Sequence, residues 1–175
     1  MASLLVVTGP PGAGKSTVAA LVSRQHNPSV LIEGDAFFAF LDQGAIAPWE
    51  PESHAQNEVV TRAAAAAAGR FAADYKTVFD GVVGPWLLPA FAAATGLDGL
   101  HYVILLPSAE VCVERVQTRE RHGFSDEAAT RKMHEEFTRA AIADRHLLRE
   151  PPKEPEAVAD EVMRRVEHGT ALYRT

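Results

Sequence analysis

The chain has a single cysteine, Cys112, so no disulfide can form within it. A lone Cys in a helical stretch reads as core filler. Positive charge is also short: 17 Lys and Arg face 23 Asp and Glu, a formal net charge of -6. That balance argues against a surface for nucleic acid or anionic lipid. No apolar run approaches the roughly 20 residues of a membrane span. Residues 1–8 are apolar but lack a basic start and run into Gly9, which reads as a strand rather than a leader. There is no internal repeat. What remains is a cytoplasmic enzyme or binding protein, a monomer or homodimer. Its 175 residues suit a single domain, and 47% of them are hydrophobic, enough for a core.

Short apolar runs alternate with helical stretches. The runs lie at 3–8, 30–32, 77–80 and 101–106, with a weaker one at 145–148. Runs apolar throughout suit parallel strands buried on both faces. Helices are expected from Lys15 to about His26, from Ser53 through the alanine run at 63–68, and over 89–94. Further ones run from Ser108 toward Arg119, from Ser125, and from Pro155 to near Gly169. Ser53-His54-Ala55-Gln56 has the spacing of a capping box. Ser125 precedes acidic Asp126 and Glu127, which suit a helix start. This alternation predicts an α/β protein with a parallel sheet covered on both faces.

The most specific motif is Gly9-Pro10-Pro11-Gly12-Ala13-Gly14-Lys15-Ser16-Thr17, a complete G-x-x-x-x-G-K-[ST] phosphate loop. Gly9, Gly12 and Gly14 let the backbone turn tightly and approach phosphates. Amides from Gly12 and Ala13 onward, at the start of the next helix, face the anion, since Pro10 and Pro11 have no N–H. Lys15 brings positive charge to the β- and γ-phosphates. Ser16 is the expected protein ligand of Mg²⁺, with Thr17 the next hydroxyl along. The motif calls for ATP and Mg²⁺.

In a parallel sheet, ligands sit at the carboxyl ends of strands. Asp35 follows the second run and is placed to accept a proton from an attacking hydroxyl; the alternative is a helix N-cap. Asp80 ends the third and either holds Mg²⁺ or braces the turn at Gly81. Arg115, Arg119 and Arg121 lie at a helix end and in the loop after it. There they can stabilise transferring phosphate, or simply suit the helix dipole.

Together, the phosphate loop, Gly34-Asp35, and the Glu114, Arg115, Arg119 helix end resemble small P-loop kinases of the gluconate kinase and chloramphenicol phosphotransferase types. The resemblance implies a three-layer α/β/α sandwich with a five-stranded parallel sheet in the order 2-3-1-4-5. It implies a lid at about 119–128 carrying Arg119, with Asp35 as general base and Pro151 near adenine. Acceptor-side segments fall at about 35–57 and 81–91. Phe38, Trp49, His54, Asn57 and Trp86 are the candidate acceptor contacts there.

Kinases of anionic acceptors grip the anion with Arg or Lys. From 33 to 61, and again from 81 to 100, this chain has neither. Glu33, Asp35, Asp42, Glu50, Glu52, Glu58 and Asp98 occupy those stretches instead. The expected acceptor is a neutral or cationic alcohol: a sugar, an amino sugar or an antibiotic-like compound. The alternatives are an ATPase or nucleotide switch without an acceptor, and a nucleotide or nucleoside kinase.

Overall fold

The computed structural model describes residues 4–118 and 126–175. Five strands run parallel: β1 (Leu4–Thr8), β2 (Ser29–Glu33), β3 (Lys76–Asp80), β4 (Gly99–Leu106) and β5 (Leu147–Arg149). Their order across the sheet is β2-β3-β1-β4-β5, as the resemblance implies. A sixth strand, β6 (Leu172–Arg174), joins them antiparallel to β4. Three residues carry no readable period, so the sequence does not signal it. β5 pairs with β4 at Ile104, Leu105 and Leu106, and β6 pairs with it at Gly99, Leu100 and His101.

The helices are α1 (Lys15–Arg24), α2 (His54–Ala72), α3 (Leu88–Thr95), α4 (Ala109–Thr118), α5 (Glu127–Arg139) and α6 (Pro155–Glu167). Alternate residues of β1 enter opposite cores. Leu4 and Val6 pack with Ala64, Ala65 and Ala68 of α2 and Phe91 of α3. Leu5 and Val7 pack with Val18 and Val22 of α1 and Val158 and Val162 of α6. Burial on both faces is why the strands read as unbroken apolar runs. The alanine run lets α2 lie close to its neighbours. At Gly69 the approach is closer still, since a Cβ there would fall 1.9 Å from the Thr95 carbonyl oxygen.

Two local readings need correction. Ser53 and Gln56 form no capping box. The Ser53 hydroxyl shares its proton between the carbonyls of Pro48 (2.9 Å) and Glu50 (2.7 Å). Gln56 instead reaches Ile46, accepting from its N–H at 2.8 Å and donating to its carbonyl at 2.7 Å. The loop before α2 offers better-placed partners than the helix end. At α5 the cap is Asp126, whose Oδ1 accepts from the Ala129 N–H at 2.9 Å. Ser125 lies outside the described residues.

Candidate active site

β1 runs directly into the phosphate loop. Gly9, Gly12 and Gly14 have φ of 147, 78 and 93, which side-chain-bearing residues rarely adopt. Two of them also lack room for a Cβ. On Gly9 it would lie 2.3 Å from the Leu105 carbonyl oxygen, and on Gly12 2.2 Å from that of Cys112. Cys112 is buried, and burial pushes its thiol up to about 11, so it acts as packing. The Ala13 N–H and the Lys15 ammonium both donate to the Pro10 carbonyl, at 3.2 Å and 3.0 Å. Lys15 thereby arches over the loop at the start of α1. Gly14, the N-cap, brings no side-chain acceptor to that end. Backbone amides at a helix start are groups that bind anions. From α4, Arg115 donates to the Gly12 carbonyl at 3.4 Å.

Asp80, at the end of β3, is 8% exposed, and its Oδ1 has no hydrogen-bond partner. Burial raises its pKa above the ordinary carboxylate value. The Ser16 hydroxyl and Lys15 charge oppose the rise, and Asp35 and Glu33 add to it. Ser16 and Asp80 supply hard oxygen donors of the kind Mg²⁺ takes alongside water and phosphate. An orphaned buried carboxylate oxygen is also what a cation would satisfy. The pair therefore fits that ion. The described residues contain no cluster of three or more His, Cys, Asp or Glu that would hold a different metal.

A cleft of about 380 Å³ opens beside the loop. Gly12, Gly14, Lys15 and Ser16 line it, as do Asp35 and Asp80. Asp35 lies inside a 3-10 helix, Gly34–Phe40, rather than at a helix cap, and it is exposed. Of the acceptor-side candidates, Phe38, Trp49, Asn57 and Trp86 line the same cleft. His54 does not; it is exposed at the first position of α2. Gly9, Ala13 and Thr17 are also off the wall. Gly9 and Ala13 are buried beneath the loop, and Thr17 is exposed. Pro151, in the loop after β5, is half-buried and away from the cleft. Arg119, Arg121 and most of the expected lid lie outside the described residues.

A family model described as an AAA domain matches residues 4–143, a span that includes the phosphate loop, Asp35, Asp80 and α5. The chain belongs to the AAA domain family. No curated protein matches its sequence. Solved structures similar to this AAA domain include the tunicamycin resistance protein of Deinococcus radiodurans. It is 17% identical, with a TM-score of 0.68 and coverage of 95% of this chain and 96% of that one. A sugar kinase from a Janibacter species is 18% identical, with a TM-score of 0.68 and 96% of both chains covered. The Mycobacterium tuberculosis APS kinase, in complex with AMPPNP and APS, is 21% identical, with a TM-score of 0.67 and 94% and 96% covered. At these identities the likeness is one of fold, and the fold is that of P-loop kinases.

The cleft wall and the segment after β3 also involve residues not singled out from the sequence. Thr61, one turn after Asn57 on α2, is 8% exposed and lines the cleft, as does Met133 of α5. The i, i+4 spacing from Asn57 is the signal that finds Thr61. Thr8 and Tyr102 hold the segment after β3. The Thr8 hydroxyl accepts from the Val83 N–H at 2.9 Å, and the Tyr102 hydroxyl donates to the Val83 carbonyl at 2.6 Å. Nothing in the sequence links three residues so far apart.

Proposed function

We propose that this AAA domain transfers the γ-phosphoryl group of ATP, with Mg²⁺, to a hydroxyl of a neutral or cationic small molecule. One observation carries the acceptor class: Lys15 is the only cationic side chain among the described residues lining the cleft, where Asp35 and Asp80 also stand. Two arginines of α2 sit in surface ion pairs. Arg62 pairs with Glu58 at 2.7 Å and Arg70 with Asp74 at 3.2 Å. An anionic acceptor would enter a site that already carries negative charge, without an arginine among the described lining residues to hold it.

In this reading Lys15 and the loop amides hold the β- and γ-phosphates. Ser16 and Asp80 hold Mg²⁺, which when bound offsets charge on those phosphates. Asp35 takes the proton of the acceptor hydroxyl, whose oxygen attacks phosphorus as ADP leaves. Arg115 supports the loop backbone, and Arg119 and Arg121 are proposed to close over the nucleotide.

The test is γ-labelled ATP with Mg²⁺ and a panel of sugars, amino sugars, antibiotics, acids and nucleotides. Label is expected on a neutral or cationic alcohol. Lys15→Ala should abolish transfer, and Asp35→Asn should lower kcat by roughly 10²–10⁴-fold. Label appearing only as inorganic phosphate, with Asp35→Asn indifferent, would show an ATPase. Efficient transfer to acids alone would overturn the charge argument.

A further inference from the structure

We infer that the acceptor carries a ring with an apolar face, and that Trp49 and Trp86 select it. The inference rests on the phosphotransferase reading and narrows its substrate. The chain has two tryptophans in all, and both line the cleft. They are 44% and 42% exposed. Tryptophan is usually well buried, so both copies half-open on one cleft is a departure that function can explain.

Neither tryptophan is exposed because its surroundings are loose. Trp86 packs edge-on to Phe137, which is fully buried, with ring centroids 5.2 Å apart at 61°. Its indole also lies against Gly84, where a Cβ would fall 2.3 Å from Cζ2. Only glycine leaves space for the ring in that position. Trp49 sits in the loop that α2 clasps. Gln56 holds both polar backbone groups of Ile46. Asn57 Nδ2 donates to the Pro48 carbonyl at 2.7 Å and to Ser53 Oγ at 2.9 Å. The residue before Trp49 is therefore tied to the helix wall. Side chains whose surroundings are already fixed bind a flat partner with little further ordering.

The rest of the wall agrees. Phe38, Val82, Leu87 and Met133 add apolar surface, and Asn57 and Thr61 add sparse polar groups. A pyranose, a nucleoside or an aryl-substituted alcohol offers an apolar face with a hydroxyl at its rim. An acyclic polyol offers hydroxyls and no face to stack. It also loses more conformational freedom on binding.

The experiment measures kcat/KM of the full chain with MgATP for neutral alcohols in two sets. One holds pyranosides, nucleosides and aryl diols, and the other holds acyclic polyols such as sorbitol. Every efficient acceptor should fall in the first set. For the best acceptor, Trp49→Leu and Trp86→Leu should each raise KM roughly tenfold with kcat nearly unchanged, and Phe at either position should restore it. Emission of the single-tryptophan proteins Trp49→Phe and Trp86→Phe should shift when that acceptor saturates. An efficient acyclic acceptor, or a KM indifferent to both Leu substitutions, overturns the inference and leaves phosphotransfer standing. Failure of every alcohol to take label overturns both.

Discussion

Asp80 is a residue whose stability and function pull in opposite directions. Burial disfavours its charge, yet a charged oxygen there is what Mg²⁺ needs. A carboxyl with a raised pKa costs stability at neutral pH, because the folded form holds its proton more tightly than the unfolded chain does. Asp80→Asn should therefore leave the nucleotide-free protein as stable or raise its Tm. It should weaken MgATP binding by about tenfold or more, as loss of a metal-orienting group does. Calorimetric melting and MgATP titration of the same variant check both halves; a large loss of Tm would make Asp80 structural. At this scale the sequence is most legible where neighbours in the chain are neighbours in space. The phosphate loop is contiguous, so its glycines, Lys15 and Ser16 can be read directly. Asp35 and Asp80 follow strand ends and can be read once the strands are known. Thr8 and Tyr102 meet at Val83 only through the sheet, and no spacing announces them.

Among the elements, α2 does two jobs. One side of it packs alanines on the sheet, and Gln56 and Asn57 at its start, with Ser53 just before it, grip the loop at 46–50. The capping-box pattern is legible there and misleading. Its residues are polar at the right spacing, but the preceding loop places carbonyls and an amide where Ser53 and Gln56 bond to them instead. Gln56→Ala should loosen the loop. We expect a several-fold rise in acceptor KM with little change in ATP KM, and at most about 1 kcal/mol lost from stability, since the site is partly solvated. Steady-state kinetics in both substrates test this, and equal rises in both KM values would count against it. At α5 the acidic pair is legible, but which residue caps is not. Asp126 caps because the helix opens at Glu127, which puts the Asp126 carboxylate within reach of the Ala129 amide.

For the molecule as a whole, two buried histidines set a pH limit. Burial lowers the pKa of His101, aided by nearby Lys76, and leaves its Nδ1 without a partner. Burial also lowers that of His146, with Arg145 and Arg165 adding to the effect and a bond to the Tyr102 carbonyl opposing it. Both fold in the neutral form, so the unfolded chain binds more protons below the ordinary histidine value of 6.5. Stability should be fully present above that value and fall as pH drops below it. Glu161, held at about 2 by Arg164 and Arg165, adds stability that is fully present above its usual 4.5 and is lost as pH falls from there toward 2, below the histidine window. Tm measured from pH 7.5 to 5 should decline in the histidine window, and a flat profile would contradict the assignment. The strand order was legible at this scale through the resemblance and the apolar runs. β6 was not, because its pairing depends on where the chain returns.

That return has a further consequence. The outer edge of β4 is covered in two short pieces, β5 at one end and β6 at the other, running in opposite directions. A single long strand would present a continuous row of open backbone groups to any passing chain. Two three-residue pieces present a broken row, with the direction reversed between them. The fold thereby guards against amyloid-like stacking at this border.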